Sequence, residues 1–161
     1  MVLYGTFPWP QFGSGGINTP RSNAYGWPLA EVQAFQLAGS TTGTAGVGTW
    51  TTGLGMFRDA TVFVDVTGTA GTGALGIFYV DTRLDGTGTT NLAATAPLGS
   101  GTQYALQLSK HWTGTIGQDV GADVATGTIR QLGWADDLRI RLALSGTTPL
   151  LTYRVWISAT Q

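Results

Sequence analysis

From about residue 35 onward, apolar and polar positions alternate in short runs separated by glycine and threonine. In "DATVFVDV" (59–66), Ala60, Val62, Val64 and Val66 fall on one face and Thr61, Phe63 and Asp65 on the other, the period-two pattern of a half-buried strand. "LGIFYVD" (75–81) is nearly continuous in Leu75, Ile77, Phe78, Tyr79 and Val80, which predicts a central strand covered on both faces. "QYALQL" (103–108) alternates Tyr104, Leu106 and Leu108. "LRIRLAL" (138–144) sets Leu138, Ile140, Leu142 and Leu144 against Arg139, Arg141 and Ala143; "LLTYRVWI" (150–157) sets Leu151, Tyr153, Val155 and Ile157 against Thr152, Arg154 and Trp156. The intervening "SGTTP" has the length and chemistry of a hairpin loop, so 138–157 reads as a β-hairpin.

Weaker strands are expected at "VQAFQL" (32–37), "GTWTT" (48–52) and "GTIRQLGW" (127–134). With about eight strands, glycine-rich turns and no clear amphipathic helix, the pattern predicts an all-β fold, an antiparallel β-sandwich or barrel. Residues 29–35, entered by Pro28, are an alternative place for one short helix.

Gly71, Gly73 and Gly76 satisfy the G-x-G-x-x-G spacing of dinucleotide-binding loops. That loop needs a helix after the glycines, because the free amides at a helix N-terminus hold the pyrophosphate. Here "GALGIFYVD" continues as a strand, so the run is read as a turn between two strands.

The first 28 residues change the picture. They hold four of the six prolines (Pro8, Pro10, Pro20, Pro28) together with Tyr4, Phe7, Trp9, Phe12, Tyr25 and Trp27. Proline excludes helix interiors and central strands, and so many rings are costly to leave in water. Residues 1–34 are therefore expected to form an extended arm ahead of a β domain at 35–161, the arm either folding back over its own domain or docking on a neighbouring chain. "MVLYGTFPWP" lacks the basic start and apolar core of a signal peptide, and no run approaches the length of a membrane-spanning helix, so no membrane partner is expected.

Only 11% of the 161 residues are charged and the net charge is -1, which leaves little colloidal repulsion and favours association. The eight Lys and Arg are scattered, which argues against nucleic acid as a partner. Without cysteine there are no disulfides or thiolate metal sites.

Candidate chemistry is sparse, and neither a catalytic residue nor a cofactor nor a metal is assigned. His111 is the sole histidine, no serine sits in a G-x-S-x-G elbow, and Asp136 and Asp137 as strand neighbours would point to opposite faces. Asp81, Asp85 and Gly86 fit three positions of a calcium loop, but Arg83 and Leu92 occupy positions that need oxygen donors. Arg139 and Arg141 form a two-rung basic ladder, either solvated or facing an acidic partner. Among the six tryptophans, Trp50, Trp112, Trp134 and Trp156 lie at strands or turns where a ring could serve as an interface anchor or a stacking platform for sugars.

"FRDATVFVDVTGTAGTGALGIFYVDTRLDGTGTTNLA", followed by "DDLRIRLALSGTTPLLTYRVWI", resembles a pattern in capsid decoration (cementing) proteins of tailed bacteriophages. The matching positions are Asp65, Val66 and Thr67, then Asp85 and Gly86, then 138–141 with 145–149; they are turn and strand chemistry and carry no catalytic residue. The resemblance implies an all-β protein made in the host cytoplasm and placed on the outside of the virion, bound to the major capsid protein, with a homotrimer and arms reaching onto neighbours. On that reading the interface candidates are Tyr4, Phe7, Trp9, Phe12, Trp27, Arg139, Arg141 and Trp156. The rival expectation is a carbohydrate-binding or host-attachment module acting through exposed tryptophans.

Overall fold

Two strands of 24 and 23 residues carry the fold. A straight strand of that length would span about 80 Å, whereas a chain of this size packs to a radius of gyration of about 15 Å, so a buried pair this long has to bend. The structure, a computed structural model, describes residues 21–22, 28–29, 31–42, 45–83, 88–110, 121–130 and 132–160. In chain order the strands are β1 (Arg21–Ser22), β2 (Pro28–Leu29), β3 (Glu31–Thr42), β4 (Ala45–Val47), β5 (Asp59–Thr82), β6 (Thr90–Ala94), β7 (Thr102–Ser109) and β8 (Leu138–Thr160). β1 and β2 pair only with each other; the rest form one sheet in the order β3-β8-β5-β6, with β4 also on β8 and β7 also on β5. Every pairing is antiparallel, and the described residues contain no helix.

β5 and β8 pair from Asp59↔Thr160 to Thr82↔Leu138, and the three register shifts in this ladder fall between Val66 and Leu75. There, 67–73 and 145–148 lie outside the core, while Val62, Val64, Val66, Phe78 and Val80 of β5 and Leu138, Ile140, Leu142, Leu151, Val155 and Ile157 of β8 are buried on either side. The ribbon curls at this point, and its two halves share one core. Phe78, beyond the bend on β5, meets Tyr153, which pairs with the part of β5 before the bend, edge to face at 5.3 Å. The result is a curled antiparallel sheet, a half-barrel, whose halves each have one inner and one outer face.

The bend corrects two expectations. "SGTTP" is no hairpin loop: 138–145 pairs with 75–82 and 150–160 with 59–70, so β8 runs straight through it. The glycine run of β5 is likewise no turn between separate strands, since it lies opposite "SGTTP" in the same ladder, with Thr72 paired to Thr147. Turn-type residues serve both runs because bulges at a sheet corner need the same left-handed backbone as hairpin ends. Gly71 (φ 93°), Gly73 (φ 65°) and Gly146 (φ 112°) supply it. The continuation of β5 past Gly76 as strand leaves the dinucleotide loop without its helix.

Three further expectations change. Residues 31–35 are strand, not helix: β3 pairs along 150–160 of β8, and two helical turns without tertiary support lose to that ladder. "GTWTT" follows the same edge of β8, the one away from β5, with one bridge, Thr51↔Leu138, and "GTIRQLGW" contributes one bridge, Ala93↔Ile129. Neither is a strand in its described residues, although 127–130 still covers the edge of β6 through amide bonds between Gly127 and Ala94, Ala94 and Thr128, and Arg130 and Leu92. That cover explains why all five residues of β6 are buried. No described helix is long and apolar enough to cross a membrane.

Candidate functional site

Two places on the outer faces gather polar or aromatic side chains. The first lies on the half of the ribbon after the bend. β5 and β8 pair Asp81 with Arg139 and Tyr79 with Arg141, which sets an acid, a ring and two guanidinium groups on one outer face. Asp81 is completely buried. Its Oδ2 accepts from Arg139 Nε at 3.3 Å and Arg141 Nε at 3.2 Å, and its Oδ1 accepts from Asn91 Nδ2 at 3.0 Å and the Arg141 guanidinium at 3.4 Å. Asn91 Nδ2 also donates to the carbonyls of Val80 and Ala93, while its Oδ1 accepts from the Val124 amide, so β6 ties this acid to the segment outside it.

Around this centre the charges continue to pair. Arg141 donates to both oxygens of Asp123, and that hydrogen bond is the largest cause holding its guanidinium pKa above the usual value. Arg130 donates to the carbonyls of Asn91 and Ala122, and Arg83 binds the Asp137 carboxylate. The guanidinium carbons of Arg83 and Arg139 lie 4.5 and 4.4 Å from the Trp50 ring centre, and that of Arg141 lies 4.5 Å from Tyr79. Such stacking is worth about 0.5–2 kcal/mol per contact, depending on desolvation.

The basic ladder Arg139–Arg141 therefore meets its acid within the chain rather than standing solvated. A cation at Asp81 would face two guanidinium groups with both carboxylate oxygens already occupied, and no three described His, Cys, Asp or Glu side chains could jointly hold a metal. Asp85, His111 and Trp112 lie outside the described residues.

Asp136 and Asp137 do diverge. Asp136 caps the 53–55 turn, accepting from the Gly53 and Gly55 amides at 3.0 Å each, while Asp137 turns to Arg83. Lys110 donates to the Gly55 carbonyl and lies 4.8 Å from the Trp134 ring centre; burial lowers its pKa, partly offset by Asp136. Trp134 is a core residue, buried with its indole N–H on the Leu54 carbonyl.

The second place is the outer face of the half before the bend. There Phe63 and Trp156, paired across β5 and β8, stack with ring centres 5.5 Å apart. Two residues along, Arg154 bonds Asp65 at 2.5 Å, the arginine side chain 58% exposed and the aspartate nearly buried. With Val64, Gln103, Tyr104 and Ala105, the residues Phe63, Asp65 and Trp156 line an open groove of about 340 Å³. On the far side of Trp156 the backbone of β3 pairs Phe35 opposite it.

Of the residues named from the sequence, Arg139 and Arg141 meet at Asp81, and Trp156 lies in the groove on the other half of the ribbon. The arm residues Tyr4, Phe7, Trp9, Phe12 and Trp27 lie outside the described residues. Sequence reading missed Asn91, Asp123 and the Asp65–Arg154 pair. A usable signal existed only for Asp81, an acid closing an apolar strand, and reading it required knowing that β5 pairs with the arginine ladder. Comparison with protein-family models finds no match, and comparison with curated proteins finds none either.

Proposed function

We propose that this chain is a structural virion protein, a β-sandwich domain with an extended N-terminal arm, that binds the outer surface of a phage capsid as a trimer and stabilises the assembled shell. The observation that carries this reading is the inward use of charge. Asp65, Asp81, Asp123, Asp136 and Asp137 are each bound to an arginine or to backbone amides of the same chain. Among the described residues, what remains for acting on another molecule is, apart from the exposed Arg58 and Asp59, aromatic and neutral polar surface, the means of contact rather than of acid–base chemistry.

The ribbon suits the role mechanically, because load along β5 and β8 is shared over one ladder from Asp59 to Thr82 instead of ending at a hairpin. Binding that exists only on the assembled shell adds stability by linkage, about 2.7 kcal/mol per site at a hundred times the dissociation constant.

The solution mass of the full chain is expected to be three times the 16.8 kDa of one chain, and the protein is expected to co-sediment with heads of the phage that encodes it. A strict monomer would remove the trimer from the proposal, and a chain left in the supernatant would remove the shell.

A second reading is favoured by one feature, the stacked Phe63–Trp156 pair beside Asp65 and Gln103. Sugars bind by laying an apolar ring face on an aromatic side chain while a carboxylate or amide bonds the hydroxyls. A glycan array decides it: on this reading binding saturates and falls at least tenfold in Trp156→Ala, whereas the decoration reading expects no glycan retained.

A further inference from the structure

We propose that residues 7–10, Phe7-Pro8-Trp9-Pro10, dock as an extended polyproline-type segment in the Phe63–Trp156 groove of their own chain. The inference rests on the groove and on the chain leading to it, not on the shell reading.

Local stereochemistry prepares the segment. Pro8 and Pro10 fix their own φ near −65°, and Phe7 and Trp9, each preceding a proline, are pushed into the extended region. Such a segment loses little conformational entropy on binding and is the usual occupant of shallow aromatic-lined grooves, where prolyl rings lie against aromatic faces. It carries carbonyl groups with no internal partner, so its groove has to offer donors. Gln103 and Trp156, on the outer face, each bring a side-chain donor to the groove, and among the described residues neither donor has an acceptor. A volume of about 340 Å³ is at the small end of ligand clefts and suits a short segment rather than a folded partner.

Chain length permits the contact without leaving the molecule. Arg21 in β1 pairs with Leu29, just ahead of β3, and Phe35 of β3 pairs opposite Trp156. The path from Arg21 across to Leu29, along to Phe35 and over to Trp156 is about 30 Å, from strand rise and strand spacing. The residues between Pro10 and Arg21 reach up to about 36 Å when extended. A tether of this length sets an effective concentration in the millimolar range, which favours the chain's own segment over a neighbour's at ordinary protein concentrations. This selects, of the two arrangements open to the arm, the one that folds back.

Fluorine NMR of the full chain labelled with 5-fluorotryptophan tests it, the Trp9 and Trp156 signals being assigned with Trp9→Phe and Trp156→Phe. The buried Trp134 signal serves as the reporter of an intact fold. The expected result is a Trp9 signal displaced from the free amino-acid position. In Pro8→Ala/Pro10→Ala it returns to that position and the Trp156 signal moves, with Trp134 unchanged. Trp156→Ala should release Trp9 in the same way, and the proline variant alone carries the test if Trp134 shows that this groove variant has unfolded. A free-position Trp9 in the unaltered chain overturns the proposal, as does a Trp156 signal indifferent to the prolines. Co-expressing the Trp156→Ala chain with the Pro8→Ala/Pro10→Ala chain addresses exchange between copies: recovery of the displaced Trp9 signal would place the segment in a neighbour's groove and overturn the intrachain assignment.

Discussion

Replacing Asp81 by alanine is expected to destabilise the chain by about 3 kcal/mol, the lower end of the range for breaking a buried ion pair from one side. The carboxylate is fully buried and engages Arg139, Arg141 and Asn91, so its removal leaves the Arg139 guanidinium without a carboxylate and Arg141, its neighbour on the same face of β8, with Asp123 alone. The lower end applies because the arginine side chains retain 21% and 27% exposure and recover part of their hydration. For a chain of this length the loss corresponds to a fall in Tm of about 6–12 °C. Arg139→Ala should cost less, because Arg141 stays on the acid, and Asp81→Ala combined with Arg139→Met should regain part of the loss by removing the guanidinium that Asp81 alone pairs, Arg141 keeping Asp123. Urea unfolding of the four proteins measures the ranking. An Asp81→Ala variant within 1 kcal/mol of the parent would mean that the cluster holds nothing together.

The second large effect is expected at the bend. Gly146 has φ 112°, and a Cβ there would lie 2.8 Å from the carbonyl oxygens of Gly73 and Thr72 and 2.9 Å from the Ala74 nitrogen. These are backbone atoms of the opposing strand and cannot swing aside. Gly146→Ala thus adds a steric clash to the cost of a left-handed alanine, and a loss of about 3 kcal/mol or more is expected. Gly73 is the control: its φ is 65° and a Cβ there meets nothing within 4 Å, so Gly73→Ala should cost only the backbone term of about 1–2 kcal/mol. Thermal unfolding of the two variants separates the causes. Equal losses would show that backbone conformation alone matters at the corner and that the close approach of the two strands does not.

The contrast between these glycines marks how far the sequence could be read. The inward sets Ala60, Val62, Val64 and Val66, Leu106 and Leu108, and Leu138, Ile140 and Leu142 were legible, because a period of two needs only a strand with one wet face, and all of them are buried. The connection between runs was not legible. Along β8 the buried positions change from even numbers, ending at Leu142, to odd numbers, starting at Leu151. An odd-length loop and a run of bulges shift the parity alike, and both recruit glycine at positive φ. On β5 the buried apolar positions stay even from Ala60 to Val80, which equally fits a turn or a bend.

The site divides in the same way. Residue types along the chain marked Arg139 and Arg141 as a ladder and Trp156 as a ring on the polar side of a strand. Whether the ladder met water, another molecule or an acid of its own chain depended on which strand lay beside it, and Asp81 is 58 residues away in sequence. Local periodicity and composition were enough to set an all-β chain, its inward faces and its poverty in charge. Only the tertiary structure decided that two glycine-rich runs form one corner, that the arginines neutralise a buried acid, and that Phe63 and Trp156 share a groove. Those outcomes follow from strand pairing, a long-range choice made by the free energy of the whole core.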